Sequence, residues 1–555
     1  MSVIVLAPGV SSCHVAAFFA VIILVYVVHR RHRVCRLANP RNLPYPPGPK
    51  PLPIIGNIFD IARDLVFLST LGKHILFVNS FETANQLFEK RSANYSDRTQ
   101  STMSHELYAL IWILLCRFLL IYFPKAWGGV LVLDTCAMAI AGGNTVFQQS
   151  VSPSFWPIQL REAHALLRRL LHSPYRLDHH LRHNAAAVIM SVTYGITIDL
   201  TEDRYIALAE KALEGMAKSA GPGAFLVDLM PSRESYFAAL SVSPFIDVPC
   251  RSVRYIPEWV PGASFKRKAR EWRAAVMGMK EEPFATVVNE MKSGKAPPSF
   301  VSNLLNDLGS EKDSEEDEIE TIKNCAGIAY AASFVLAVLV HPEVQRKAQQ
   351  ELDAVVGRDR LPDFNDRPSL PYTSAIVKEV LRWNPVTPLG LPHMVTNDDE
   401  FNGNDCCRKF MASFLGIFSP SSTGAYLGSY RGILNDPNIY PDPRRFSPDR
   451  FMGEADKSPS QHLSPTDTLS VAFGYGRRFC PGRHMGESQV WISVACILSA
   501  FDITPALDEN GRPIEVVPAF SSGMICHPLP FKFSITPRGD ASRSLVEQTE
   551  FSTYF

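Results

Sequence analysis

The residues around Cys480 have the types and spacing of a metal-binding loop. The stretch reads Phe473-Gly474-Tyr475-Gly476-Arg477-Arg478-Phe479-Cys480-Pro481-Gly482 and precedes an apolar helical run. Gly476 and Gly482 allow the backbone to aim N–H groups at the sulfur. The positive end of the next helix stabilises an anionic sulfur, and Phe473 and Phe479 exclude water. The stretch therefore predicts a thiolate ligand for haem iron.

Two other interpretations of Cys480 stay open on these residues alone. Cysteine is often a buried structural residue without chemistry. Cys480 and His484 could also form half of a zinc site. A structural zinc ion needs four ligands, however, and no second pair at matching spacing accompanies them. The adjacent Cys406 and Cys407 are a poor chelating pair.

The cysteine stretch matches the pattern F-x-x-G-x-R-x-C-x-G. The matching positions are Phe473, Gly476, Arg478, Cys480 and Gly482. This pattern resembles the haem-thiolate loop of the cytochrome P450 family. The resemblance implies haem b as the cofactor and Cys480 as the axial iron ligand and catalytic residue. It also implies that Arg478 pairs with a haem propionate.

Two further motifs extend the resemblance. Glu379 and Arg382 are three residues apart on one predicted helix, where an exposed ion pair contributes only about 0.3–0.5 kcal/mol. Glu379-Val380-Leu381-Arg382 also matches the family's E-x-x-R motif, and the segment around Arg450 resembles its second arginine motif. The resemblance implies that Glu379, Arg382 and Arg450 form a buried structural triad behind the haem. It makes His393 a second propionate partner, with a satisfied polar residue in a turn as the alternative.

Composition excludes several classes of protein. The chain has 555 residues, of which 46% are hydrophobic, and 55 basic residues balance 55 acidic ones. This balance predicts no nucleic-acid partner. The 11 cysteines are scattered without regular spacing and indicate no disulfide framework. A reducing, cytosol-facing compartment is therefore expected.

The N-terminal region predicts a membrane anchor. Val15 to Val28 is an apolar run, and basic residues follow it at 29–36. Charges on this side favour a retained anchor with the rest of the chain in the cytosol, and a buried helix is the alternative. The proline-rich segment 43–49 favours a stiff hinge. The predicted parts are an anchor with its basic flank at 1–36, a hinge at 37–50, a haem-thiolate monooxygenase domain at 51–540 and a tail at 541–555.

The resemblance implies a mainly α fold with a small β region near both ends. Patterning predicts a strand from His74 to Val78 with a helix cap at Ser80. It also predicts a strand-rich segment from Ile503 to Ile535. The predicted helices span 157–171, 185–195, 201–219, 265–292, 318–340, 343–356, 372–383 and 483–501. A glycosylation sequon at Asn94 is expected to stay unmodified on a cytosolic face.

The chain departs from the family at points that concern catalysis. On its long helix, no acid followed by threonine comes after the small-residue stretch 327–332 to relay protons, and Ser333 is the only serine or threonine hydroxyl nearby on that run. The Trp-x-x-x-Arg pattern is also missing, because Trp112 and Arg117, like Trp156 and Arg161, are one residue too far apart. The segments 107–155, 232–252 and 404–426 read as foreign sequence. We interpret them as traces of unspliced introns or skipped exons.

The resemblance extends to function. It implies that one atom of O2 is inserted into a small hydrophobic molecule, with electrons from NADPH through a cytochrome P450 reductase. Local sequence patterns such as Asn324-Cys325-Ala326-Gly327 resemble those of basidiomycete members of the family. This resemblance favours secondary metabolism of terpenoid-like compounds or detoxification of aromatic compounds. The expected location is the endoplasmic reticulum membrane, with a single span and a cytosolic catalytic domain. Two alternatives stay open. The first is a haem-binding protein that is either a pseudoenzyme or a relative limited to peroxide-dependent or isomerase chemistry. The second is a membrane protein without haem.

Overall fold

Helices dominate the described part of the chain, and its strands form three small sheets. The computed structural model describes residues 65–70, 73–98, 152–198, 203–219, 258–259, 264–308, 331–397, 399–402, 404–406, 425–452, 468–480, 482–521 and 525–550. The chain divides into two compact units. The first contains Met1–Met103, Pro222–Lys266 and Leu391–Ser429, and the second contains Ser104–Gly221, Arg267–Gly390 and Tyr430–Phe555.

The first unit is built on a five-stranded sheet with the order β1-β2-β7-β4-β3. Its strands and those of a separate two-stranded sheet are β1 (Leu65–Thr70), β2 (Lys73–Val78), β3 (Asp97–Arg98), β4 (His393–Met394), β5 (Asp399–Phe401), β6 (Asn404–Cys406) and β7 (Ala425–Gly428). β2 and β7 run parallel, and the other pairs are antiparallel. Val66 and Phe77 lie opposite each other and are buried, so apolar packing holds the register of the first pair.

Short helical turns follow β2, as its sequence predicts. Ser80 caps α1 (Phe81–Ala84), and its Oγ accepts a hydrogen bond from the Thr83 backbone N–H at 3.2 Å. A π-helical turn at Asn85–Lys90 and α2 (Ser92–Tyr95) complete this connection to β3. The predicted strand and the predicted cap at Ser80 are both confirmed.

The sequon side chain is used to hold this part of the fold together. Asn94 Nδ2 donates to the Asn397 carbonyl at 3.1 Å, and Asn94 Oδ1 accepts from the Asn397 N–H at 2.7 Å. A glycan on Nδ2 would disturb a pairing that satisfies two backbone groups at once. That Asn94 stays unmodified remains a prediction.

The second unit contains most of the helices. They are α3 (Trp156–His172), α4 (Leu177–Tyr194), α5 (Arg204–Ser219), α7 (Phe300–Leu308), α8 (Ala332–Val340), α9 (Pro342–Val355), α10 (Pro371–Trp383), α11 (Tyr430–Leu434), α12 (Thr468–Ala472), α13 (Arg483–Ala500) and α14 (Asp540–Gln548). The helix α6 (Ser264–Lys292) begins in the first unit and continues in the second. β8 (Phe501–Pro505) and β9 (Phe533–Pro537) pair antiparallel.

Helix α13 lies at the centre of the second unit. Almost all of its last thirteen residues are buried, and it packs against α3, α9 and α10. Trp491 is fully buried, and its Nε1 donates to Ser374 Oγ at 3.1 Å. A helix that is apolar on every side is stable only when surrounded by protein. The segment that follows Cys480 is therefore anchored in the core.

Helix α10 is held at its start by a carboxylate from α9. Glu351 accepts hydrogen bonds from the backbone N–H groups of Tyr372 and Thr373 at 2.7 and 2.9 Å. These donors have no partner inside the helix, and a negative charge is favourable at a helix N-terminus. The contact fixes the helix that carries Glu379 and Arg382.

Two sequence predictions about elements differ from the structure. α4 begins at Leu177 rather than near 185, because the polar His180 and His183 in its first turns are buried. The predicted strand-rich segment has β8 and β9 at its ends, but the described residues between them form isolated bridges, since prolines such as Pro513 and Pro528 cannot donate to a ladder. Within the predicted tail at 541–555, which stays a prediction as a division of the chain, the described residues include α14, which packs against α3.

Several predictions fall on residues outside the described ranges. These are the anchor from Val15 to Val28, the hinge, the segments 107–151 and 232–252, the first part of the helix predicted from Glu318, and the interior of 404–426. Within the described ranges, no helix has both the length and the apolar character needed to cross a membrane.

Helix α3 carries a histidine that makes stability depend on pH. Burial, with a smaller effect of Arg168, lowers the pKa of His164 from 6.5 to about 4. The unfolded chain therefore takes up a proton between these values that the folded chain refuses, and stability falls as the pH drops through this window. We expect His164→Leu to remove about 2–3 kcal/mol of that loss.

Urea unfolding near neutral pH and near the lower limit of this window measures the effect. An equal loss of stability in the unaltered chain and in His164→Leu would contradict the assignment.

Candidate functional site

The Cys480 loop is closed by its own backbone. The Cys480 N–H donates to the Phe473 carbonyl at 2.9 Å, and the Phe479 N–H donates to the Gly476 carbonyl at 3.1 Å. Gly474 and Gly476 have φ values of 94° and 53°, which favour glycine. A side chain at Gly474 would also lie 3.3 Å from the Arg478 carbonyl. This loop therefore needs glycine at both positions.

Gly474 was missed by the motif, although it stands next to a predicted site residue. Gly482 was expected to shape the loop as Gly476 does, but its backbone conformation does not require glycine. Its φ is −79°, and an added Cβ would meet no described atom within 4 Å. Gly482 is instead the N-cap of α13, with no side-chain capping bond, two residues after Cys480.

The loop separates its two arginines and partly exposes its cysteine. Arg478 is buried at 8% exposure, whereas Arg477 is exposed. A guanidinium withdrawn from water is suited to an anionic group such as a propionate. The Cys480 thiol is partly accessible. This contrasts with Cys496 and Cys526, where burial raises the pKa and favours the protonated thiol.

The two phenylalanines of the motif lie against the start of α13. The Arg483 guanidinium lies over the Phe479 ring at 3.9 Å, and Phe473 approaches Gly486. His484 Nε2 accepts from Arg483 Nε at 3.0 Å, so this nitrogen is engaged. Within the described part of the chain, no three His, Cys, Asp or Glu side chains gather to hold a metal ion. The lone pair of His484 Nε2, which a zinc ion shared with Cys480 could use, is directed at Arg483 instead.

The structure brings Glu379, Arg382 and Arg450 together in the core. Arg382 pairs with both carboxylate oxygens of Glu379, at 2.7 and 2.9 Å, and both side chains have 0% exposure. Arg450 Nε reaches the same carboxylate at 3.2 Å, and the Ser447 N–H donates to it at 2.8 Å. Arg382 also donates to the Leu434 carbonyl at 2.9 Å. The cluster ties α10 to two later segments; its relation to haem remains a prediction.

His393 lies in the first unit and is buried on β4. Its Nδ1 is 2.7 Å from the Tyr95 carbonyl, and its ring lies 4.7 Å from the Phe88 ring. Because a carbonyl only accepts, Nδ1 carries a proton. The propionate role of His393 remains a prediction.

The residues considered as substitutes for missing family motifs have structural contacts. Ser333 Oγ is buried and accepts from Asn384 Nδ2 at 3.4 Å. Trp156 stacks on Phe364, with ring centroids 4.7 Å apart. Arg161 pairs with Glu162 and donates to Ser191, whereas Trp112 and Arg117 lie outside the described residues. Trp156 and Arg161 therefore have separate partners.

The loop fits a thiolate-ligated haem by its own chemistry. Its accessible thiol precedes a helix N-terminus, where the thiolate form is favoured. A buried guanidinium two residues away suits a propionate, and the glycine-closed turn lets the backbone pass close to a ligand. Cys480, with Arg478 beside it, would hold the group.

Comparison with known proteins agrees with this chemistry. The cytochrome P450 family model matches residues 155–535. Cytochrome P450 monooxygenase 98 of Postia placenta is 38% identical over 95% of this chain and 96% of its own length. A cytochrome P450 monooxygenase of Armillaria gallica is 36% identical over 92% and 95%. The tryptamine 4-monooxygenase of Psilocybe cyanescens is 33% identical over 93% and 96%. The chain belongs to the cytochrome P450 family, as a haem-dependent oxidoreductase of the fungal monooxygenase type.

Proposed function

We propose that this chain inserts one atom of O2 into a hydrophobic organic substrate of fungal secondary metabolism, terpenoid-like or aromatic. The Cys480 loop carries this proposal, because it presents an accessible thiol ahead of the core helix α13. Haem b, when bound, activates oxygen with electrons that NADPH supplies through a reductase. A thiolate ligand gives the iron the electron density that favours O–O cleavage.

The chain's own residues position that chemistry. Cys480 supplies the thiolate, Arg478 holds a propionate, and the glycines of the loop bring backbone close to the sulfur. The buried cluster of Glu379, Arg382 and Arg450 keeps α10 and its neighbours in place. His393 serves as a second propionate partner.

The substrate class draws support from relatives and from composition. The name of the Psilocybe relative gives tryptamine, a compound with an aromatic ring, as that protein's substrate. The organisms of the similar proteins are fungi, which agrees with secondary metabolism.

The apolar run from Val15 to Val28 with its basic flank supports an anchor in the endoplasmic reticulum membrane and a cytosolic catalytic domain. A bilayer would also concentrate a hydrophobic substrate near the enzyme.

A second candidate function is peroxide-driven or isomerase chemistry, which needs no delivery of protons to oxygen. The sequence favours it because no acid–threonine pair follows Gly327 on the helix predicted from Glu318 to Val340. The structure adds that the nearby hydroxyl of Ser333 already accepts a hydrogen bond from Asn384. Ser333 therefore has a structural contact inside the core.

The carbon-monoxide difference spectrum of the reduced chain tests the proposed function. A strongly red-shifted Soret band is expected, because a thiolate donates electrons to the iron. NADPH oxidation with the reductase should then match hydroxylated product for a panel of terpenoid and aromatic compounds. Product formed only with added peroxide would favour the second candidate. Absence of the band would contradict haem-thiolate chemistry in this chain.

A further inference from the structure

A buried glutamine of α3 holds the first turn of α13. Gln159 has 0% exposure, and its Nε2 donates to the Met485 carbonyl at 2.8 Å. Met485 lies five residues after Cys480 in the sequence. A buried amide without a hydrogen-bond partner lowers the stability of the folded state. This bond therefore favours one position of the first turn of α13.

A separate polar network joins α13 to α3 and α4. Gln489 of α13 donates to Asn184 Oδ1 of α4 at 3.0 Å, and Asn184 Nδ2 donates to the Glu162 carbonyl of α3 at 2.7 Å. Carbonyl acceptors at Met485 and Glu162 fix the orientation of the amides that donate to them. The network therefore locks α13 against α3 and α4 at the end that follows the cysteine loop.

The start of α13 depends on such outside support. Its N-cap is Gly482, which makes no side-chain capping bond. A helix N-terminus stabilises a nearby anion only while its N–H groups keep their direction. A shift of this turn would therefore alter both the place of the Cys480 sulfur and the field around it.

We propose that Gln159 is a positioning residue for the Cys480 thiolate, acting through Met485 and the first turn of α13. The inference rests on the proposed function, since it assigns Cys480 as the iron ligand. It predicts that removing the Gln159 amide eases conversion of thiolate-ligated haem to the thiol-ligated form. Loss of one buried hydrogen bond corresponds to about a two- to tenfold shift in that equilibrium.

The test compares Gln159→Met with Gln345→Met in the haem-loaded chain. Gln345 is a matched control, because it is buried in α9 and its amide binds both backbone groups of Ile503 in β8. The conversion is followed in the reduced, carbon-monoxide-bound spectrum as acid or urea is added. Hydrogen exchange of residues 483–489 reports the first turn of α13 directly.

The expected result is easier conversion and faster exchange at 483–489 in Gln159→Met, with neither change in Gln345→Met. Equal conversion in the two variants, while the unaltered chain shows the thiolate band, would overturn the positioning role alone. Unchanged exchange at 483–489 would also overturn it. Absence of the thiolate band in the unaltered chain would overturn the proposed function together with this inference.

Discussion

Replacing Cys480 by alanine is expected to abolish the red-shifted Soret band of the reduced, carbon-monoxide-bound protein. The band depends on a sulfur anion bound to iron, and an alanine methyl group offers no ligand. NADPH-driven product formation should fall below detection for the same reason. Since Cys480 is partly accessible and lies in a loop, its removal should leave the fold largely intact. Absorbance spectra and haem content of the purified variant provide the measurement.

Cys496 provides the matched control for this experiment. It is completely buried in α13, where its sulfur lies 3.7 Å from the Pro362 carbonyl. Cys496→Ala should retain the band and lose only about 1 kcal/mol of stability from the small cavity. A band that survives in Cys480→Ala would contradict the assignment and favour a chain whose cysteine loop binds no haem.

Much of this site could be predicted from local patterns in the sequence. The cysteine motif could be read because its residues are adjacent and because a tight loop restricts which residues it accepts. Glu379 and Arg382 could be paired because three residues separate them on a helix. Helices α9 and α10 were predicted over 343–356 and 372–383, within one residue of their observed bounds. Each of these signals lies within one short segment.

Contacts between distant segments could not be read in this way. Nothing in the sequence near Gln159 indicates that its amide meets Met485 across 326 positions. The same holds for the Ser447 N–H and the Leu434 carbonyl, which complete the hydrogen bonding of the Glu379–Arg382 pair. The extent of α4 was underestimated because buried histidines have the sequence appearance of a polar connection. Tertiary packing decided each of these features.

Replacing Arg382 by alanine is expected to destabilise the second unit by about 3–5 kcal/mol. Glu379 has 0% exposure, so its carboxylate would remain in the core without its bidentate partner. Arg450 contacts the same carboxylate through Nε at 3.2 Å and would compensate only in part. The Leu434 carbonyl would lose a donor as well. Arg382→Lys should recover little, because an ammonium cannot reproduce the bidentate geometry.

Denaturant unfolding of Arg382→Ala and Arg360→Ala would isolate the effect of burial. Arg360 also pairs bidentately, with Asp366 at 2.6 and 2.7 Å, but its side chain is 48% exposed. Water compensates such a pair, so its loss should cost less than about 1 kcal/mol. Similar losses in the two variants would contradict the structural role of Glu379 and Arg382. In Arg382→Ala, the haem content should fall in parallel with the fraction of folded protein. In Cys480→Ala, the thiolate band should disappear while the protein remains folded. This difference distinguishes a residue that stabilises the fold from the residue that binds the iron.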